Sequence, residues 1–140
     1  MNDYYMNEAI KEALKADNIN EIPVGAVIVN KDGKIIGKGH NNREQNKLSI
    51  SHAEVNAIID ANKKMNNWRL SDCVMYVTLE PCEMCKCIIK ESRIKKVYYS
   101  SDNFKNGNSI NTKYLKVNDH IINDKTNSII NDSFKKIRNK

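Results

Sequence analysis

The segment CVMYVTLE, residues 73–80, constrains the fold of this chain more than any other. It is the most hydrophobic strand-like run in the sequence, and Pro81 ends it. The residues that follow, CEMCKCIIKES, have the pattern of a short helix that begins at once. A strand this hydrophobic predicts a position at the centre of a sheet, where both of its faces are covered.

Strand and helix patterns alternate along the rest of the chain. Apolar residues at helical spacing predict three more helices: residues 4–16, 52–65 and 125–140. A hairpin with an Asp-Gly turn begins at Val24, and RIKKVYYSS, residues 93–101, predicts another strand. Residues 40–51 and 103–120 lack a regular pattern and are expected to be loops. We therefore predict an α/β protein with a three-layer α/β/α fold, in which helices flank a central mixed sheet of about five strands.

The start of the helix at residues 52–65 carries a capping signal. Ser51 stands where an N-cap belongs, and Glu54 follows three residues later, which is the capping-box pattern. The apolar spacing predicts that this helix buries Val55, Ile58 and Ile59.

Length and composition favour one intracellular domain. A chain of 140 residues fits a single domain, residues 1–140, and none of its apolar runs approaches the roughly 20 residues that cross a bilayer. The first residues, MNDYYMNEAIKEALKA, lack the pattern of a signal peptide, so we expect a cytoplasmic protein without a membrane segment. In a reducing compartment, clustered cysteines bind metals or take part in chemistry more often than they form disulfides.

The net charge of +6 is compatible with an anionic partner such as nucleic acid. Lysine far outnumbers arginine and asparagine is abundant, which an AT-rich genome would also produce. The charge alone therefore decides nothing.

Two cysteines in the helix after Pro81 are spaced for chemistry. Cys82 and Cys85 lie three residues apart, so their side chains share one helical face and can chelate a single ion. The free N–H groups and dipole of the first turn favour thiolates there. A thioredoxin-like redox pair uses the same spacing, but it normally follows the first strand of its fold, whereas this pair follows the third.

A third candidate ligand lies upstream. His52 opens the preceding helix, and helix starts converge with strand ends at the carboxyl edge of an α/β sheet. One nitrogen and two sulfurs are the ligand set of a zinc site whose fourth position stays open to water, with the pKa of that water lowered to about 7. A structural zinc site would instead be closed by four protein ligands.

Cys87 and Glu54 need separate interpretation. Cys87 lies two residues after Cys85, or about 200° around the helix, so it points away from such a metal and is expected to pack in the core. Glu54 is poorly placed to be a ligand, but it can move protons between a metal-bound water and a substrate. As an alternative, Glu54 serves only the capping box.

These residues form the H-x-E and P-C-x-x-C signature, by which the chain resembles the zinc-dependent nucleoside and nucleobase deaminases. Within that superfamily it is most similar to the bacterial tRNA adenosine deaminases. The matching segments run in the family's order: EIPVGAVIV, GKGHN, HAE, YVTLEPCEMC, SRIKKVYY and the following Asp102. Two segments depart from the family: LSISHAE replaces DPTAHAE, and the loop and strand after Asp102 match the family poorly. The later segment SIINDSFKKIR still resembles the family's terminal helix.

The resemblance implies a cytidine-deaminase-like fold, a site, a reaction and partners. It assigns one Zn²⁺ per subunit to His52, Cys82 and Cys85, with Glu54 as the proton donor and acceptor. Four further residues are implied in substrate contacts: Val24 and Asn41 around the flipped base, Ala53 through its backbone, and Asp102 near the flanking nucleotides. The implied reaction converts adenosine to inosine at the wobble position of tRNA, and the implied partners are the anticodon stem-loop and a second copy of the chain.

Two other functions stay open at this point. The same chemistry could act on a free base, nucleoside or nucleotide, such as guanine, cytosine, cytidine or dCMP. A non-catalytic, zinc-stabilised RNA-binding module is a further alternative, although it would need neither an open metal position nor Glu54.

Overall fold

A five-stranded mixed sheet organises the chain, for which the computed structural model describes residues 3–103 and 113–138. The elements follow in this order: α1 (Asp3–Asn18), β1 (Gly25–Val29), β2 (Ile35–His40), α2 (Arg43–Asn46), α3 (Ala53–Met65), β3 (Val74–Leu79), α4 (Glu83–Glu91), β4 (Lys96–Ser101), β5 (Lys113–Lys116) and α5 (His120–Arg138).

The strands are ordered β2-β1-β3-β4-β5 across the sheet. The hairpin strands β1 and β2 are antiparallel, and β1 also pairs antiparallel with β3. The pairs β3–β4 and β4–β5 are parallel. The prediction that the most hydrophobic strand is central is confirmed, because β3 has two strands on each side.

Each face of the sheet carries its own hydrophobic cluster, which gives the predicted three layers. On one face, α3 and α4 pack on alternate strand residues such as Met75 and Val77. On the other face, α1 and α5 pack around the intervening Tyr76. The alternation along β3 follows from the pleat, which turns successive side chains to opposite faces.

Several predictions on individual segments are wrong. The expected loop at 40–51 contains the short helix α2, and the expected loop at 103–120 contains strand β5, while its residues 104–112 lie outside the described part. The last helix begins at His120 rather than near residue 125. Ile59 is 45% exposed, although Val55 and Ile58 are buried as predicted. Within the described ranges, no helix is both long and apolar enough to cross a bilayer.

Close backbone contact between Gly39 of β2 and the first turn of α3 fixes where that helix begins. A Cβ atom at this position would clash with the Ala53 carbonyl oxygen and the Ala57 nitrogen, which are backbone atoms and cannot rotate away. We expect Gly39→Ala to lower the free energy of unfolding by about 2–3 kcal/mol, as overpacking of a close contact does. Urea unfolding measures this effect. The neighbouring Lys38→Ala, on an exposed side chain, is the control, and equal midpoints for the two variants would contradict the prediction.

Candidate functional site

Two helix starts meet beside the carboxyl end of the central strand. Their N-cap residues are His52, before α3, and Cys82, before α4. Neither side chain makes a capping hydrogen bond to its own helix. His52 Nδ1 lies 3.7 Å from Cys82 Sγ and 3.5 Å from Cys85 Sγ. The three donor atoms lie within 4.8 Å of one another, close enough to share one metal ion.

The N-cap of α3 differs from the sequence prediction. His52 occupies the cap position instead of Ser51, whose hydroxyl accepts a hydrogen bond from Asn56 Nδ2 at 3.1 Å. Asn41, which follows β2, supplies the missing acceptor, because the Ala53 N–H donates to its Oδ1 at 2.9 Å. A side chain from another segment therefore satisfies the helix start, and the imidazole is left to face the cysteines.

Glu54 is a buried carboxylate next to this group of donors. It is 4% exposed, and burial raises its pKa to about 7. The backbone N–H of Glu54 and a hydrogen bond from Cys85 oppose that rise, since both stabilise the charged form. A carboxyl group with this pKa can both accept and donate a proton near neutral pH.

The chemistry of the donors fits a metal cation. Burial raises the pKa of the Cys85 thiol, and the neighbouring Glu54 and Cys82 raise it further, so a thiolate there needs a positive partner. At Cys85, burial therefore has a larger effect than the helix start, which was expected to favour a thiolate. Burial, helped by the Arg43 guanidinium, lowers the pKa of His52, which keeps the imidazole in its neutral, metal-binding form. Neutral imidazole and sulfur are zinc ligands.

A cavity of about 380 Å³ opens onto these residues. That volume is in the range of small-molecule sites. Five of the residues singled out in the sequence line it: Val24, Asn41, His52, Glu54 and Cys82. Eight more complete the wall: Asn20, Glu21, Ile22, Arg43, Glu44, Leu79, Glu80 and Asn103.

Three predicted site residues are not part of the cavity wall. Ala53 and Cys85 are fully buried behind it. Asp102 is exposed and pairs with Lys116 Nζ at 2.6 Å, whereas the next residue, Asn103, lines the cavity. The structure thus gathers the expected metal ligands and Glu54 at one place and leaves Asp102 outside it.

Glu80 and Asn103 were missed by the sequence reasoning. They follow β3 and β4, whose parallel carboxyl ends lie side by side. Ligand sites form at the carboxyl ends of such strands, so the position of both residues directly after the strands is the signal that points to them.

Cys87 lies on the opposite side of α4 from the metal ligands, but the prediction that it packs in the core is wrong. Its side chain is exposed, whereas Cys85 is buried. The helical angle predicts the direction of the Cys87 side chain. It does not predict whether another element covers that side of α4.

Comparisons with known proteins identify the family. Residues 1–101 match the cytidine and deoxycytidylate deaminase zinc-binding region. A Streptococcus pyogenes protein named tRNA-specific adenosine deaminase is 52% identical over 104 residues, which cover 74% of this chain and 65% of the relative. The chain thus matches less than two thirds of that relative's length. A relative of the same name from Aquifex aeolicus is 36% identical over 147 residues, covering 98% of this chain and 96% of its own length.

Solved structures share the architecture and confirm the predicted cytidine-deaminase-like fold. One, from a study of A-to-I editing by tRNA:A34 deaminases at the wobble position of transfer RNA, has a TM-score of 0.75 and 29% identity, covering 82% of this chain and 98% of that one. Guanine deaminase from Bacillus subtilis has a TM-score of 0.69 and 38% identity, and the match covers 74% of this chain and 67% of that one. The chain belongs to the cytidine and deoxycytidylate deaminase family, whose zinc-binding region it carries.

Proposed function

We propose that this protein is a zinc-dependent hydrolase that deaminates adenosine to inosine at the wobble position of tRNA. The observation that carries the proposal is the position of Glu54, a buried carboxylate that opens onto the same cavity as His52 and Cys82. The relatives named tRNA-specific adenosine deaminase support the choice of substrate, in particular the one that aligns along nearly the whole chain.

His52, Cys82 and Cys85 would hold one zinc ion per chain. Three protein ligands leave one coordination position open, as in catalytic zinc sites. Zinc bound there would act as a Lewis acid toward water. We infer that the three side chains serve this purpose because their donor atoms lie within 4.8 Å of one another and a buried thiolate at Cys85 needs a positive partner.

Glu54 would move the protons. It takes one proton from the attacking water as the C6–O bond forms and delivers it to ring nitrogen N1. It then takes the remaining proton from the new C6 hydroxyl and delivers it to the amino group, so that C6 becomes a carbonyl as the C6–N6 bond breaks and ammonia departs. Its pKa of about 7 suits both steps. Val24 and Asn41 would hold the base, while Ala53 fixes Asn41 through its N–H. Asp102, which is exposed next to the cavity-lining Asn103, would contact the flanking nucleotides.

The charge of the cavity indicates which class of substrate it can enclose. Four of its lining residues are carboxylates and one is a guanidinium, namely Glu21, Glu44, Glu54, Glu80 and Arg43. A phosphate inside this cavity would be repelled, which disfavours dCMP and other nucleotides that must be enclosed whole. A base flipped out of an RNA loop leaves its phosphates outside.

We further propose that residues 1–140 form one domain, that two chains form a homodimer on the anticodon arm, and that the protein works in the cytoplasm, where tRNA is found. The net charge of +6 suits an RNA partner.

Deamination of free guanine is the second candidate function. The 38% identity to a guanine deaminase of similar structure favours it specifically. The same ligands and the same carboxylate would serve that reaction, so the two candidates differ only in the substrate.

An anticodon stem-loop with adenosine at the wobble position separates these functions. We expect inosine at that position, no reaction when the adenosine is moved to the neighbouring loop position, and no ammonia from guanine, cytosine, cytidine or dCMP. Nucleoside analysis of the digested RNA measures the product. Ammonia from guanine without inosine in the RNA would favour the second candidate, and zinc binding without any deamination would favour a non-catalytic module.

A further inference from the structure

A buried lysine lies beside the cavity and has no part in the chemistry described so far. The side chain of Lys86, which directly follows Cys85 on α4, is 6% exposed. A buried charge is strongly unfavourable unless it is paired. Among the groups near this ammonium, Glu80 Oε2 lies 3.7 Å from Lys86 Nζ, and the centre of the Tyr114 ring lies 5.2 Å from it. An anion and an aromatic face therefore compensate the charge.

The anionic partner points to the cavity rather than to the core. Glu80 follows the last residue of β3, lines the cavity, and has a side chain that is 18% exposed. Its backbone is fixed, because the Glu80 N–H donates to the Ser101 carbonyl oxygen at 2.8 Å. Its Oε1 accepts a hydrogen bond from the Asn103 N–H at 3.2 Å. The carboxylate is thus held from two sides, by β4 and by α4.

A carboxylate has about four acceptor positions on its two oxygens. The Asn103 N–H takes one of these positions, and the Lys86 ammonium, 3.7 Å from Oε2, balances the charge. The described contacts therefore leave acceptor positions on this cavity-lining carboxylate. Glu54 is a different kind of group, because it is only 4% exposed and lies next to the metal ligands. The cavity therefore has one carboxylate suited to proton transfer and another suited to accepting a fixed hydrogen bond.

We propose that Glu80 binds the substrate by accepting a hydrogen bond from an N–H or O–H group of the nucleotide or base, and that Lys86 is the positioning residue that holds the Glu80 carboxylate. The proposal rests on the proposed function in that the ligand of the cavity is a deaminase substrate. Stability alone is a weak reason for this pair, since replacing a buried ion pair with apolar side chains is often neutral or stabilising. An apolar residue at position 86 would suit the buried face that α4 shares with Ile89.

Steady-state kinetics of four variants test this arrangement: Glu80→Gln, Lys86→Met, their double variant and Lys86→Arg. The substrate is the wobble-adenosine stem-loop or guanine, whichever the wild-type protein deaminates. We expect each of the first two variants to raise KM about tenfold, because each loses one charged hydrogen bond to the substrate. The value of kcat should be nearly unchanged. Since Lys86 acts through Glu80, the double variant should be no worse than either single variant. Lys86→Arg, which keeps the charge, should restore KM.

Bound zinc and the melting temperature are measured on every variant. Three results would overturn the proposal: an unchanged KM in Glu80→Gln, effects that simply multiply in the double variant, or a loss of zinc in Lys86→Met that accounts for its loss of activity. The wild-type protein answers the separate question of the proposed function. If it deaminates guanine and not the stem-loop, the tRNA proposal fails, while the roles of Glu80 and Lys86 are still tested on guanine.

Discussion

Replacing Glu54 with glutamine is expected to lower the rate of inosine formation about 10²–10⁴-fold, the usual contribution of a general acid–base group, while the protein keeps its zinc. Glutamine has nearly the same size and fills the same buried position, but it cannot take a proton from water or deliver one to the base. Rapid-quench kinetics on the wobble-adenosine stem-loop, together with metal analysis, measure the two parts of this result.

The control is Glu91→Gln, which removes one carboxylate from the exposed end of α4. Its activity should match that of the wild-type protein. If Glu54 serves only to cap α3, Glu54→Gln will instead keep most of its activity, because glutamine can fill the same capping position, and this outcome would reject the catalytic role. The structure favours catalysis, because Asn41 already provides the acceptor at the start of α3.

The same variant has a second, independent readout in metal-free protein. Burial raises the pKa of Glu54 from its ordinary value of 4.5 to about 7, so the folded state binds more protons than the unfolded state between these values. The contribution of Glu54 to the free energy of unfolding therefore falls as pH rises through this window. The neutral Glu54→Gln side chain lacks this loss. We expect the variant to be the more stable protein at pH 8 and the difference to disappear near pH 4.5.

Local patterns in the sequence predicted the regular elements well. Strand β3 was placed at the centre of the sheet because it is long, apolar and ended by Pro81, and each of these features is local. Strand β5 was missed for the converse reason. Its four residues, KYLK, are half-exposed and show no apolar run, so its pairing with β4 depends on the rest of the fold.

The cap of α3 and the cavity wall depended on contacts between distant segments. The capping box at Ser51 is a local signal, but the acceptor that serves this helix comes from Asn41, at the end of a strand. After the end of β4, two neighbouring residues have different surroundings. Asp102 turns to Lys116 at the surface, while Asn103 faces the cavity, as successive side chains of an extended segment do. The family resemblance identifies the correct segment, but it does not predict which of these two residues lines the cavity.

Replacing Cys85 with serine is expected to remove zinc and, with it, the deaminase activity. Losing even an outer-shell partner of a metal ligand lowers affinity about 10–100-fold, so losing a direct ligand should exceed that. Metal analysis after gel filtration should give near one zinc per wild-type chain and almost none in the variant. A chelator should lower the melting temperature of the wild-type protein and leave that of Cys85→Ser unchanged.

Cys87→Ser is the matched control, since the same chemical change is made two residues away on the exposed side of α4. It should keep zinc, activity and the response to chelator. The pH dependence adds a further test. Because burial raises the pKa of the Cys85 thiol, zinc must displace a proton there, and zinc affinity should fall as pH falls through the neutral range. The pKa of His52 is lowered, so its protonation adds to this loss only in more acidic solution. Equal zinc retention by the two serine variants would mean that Cys85 is not a ligand.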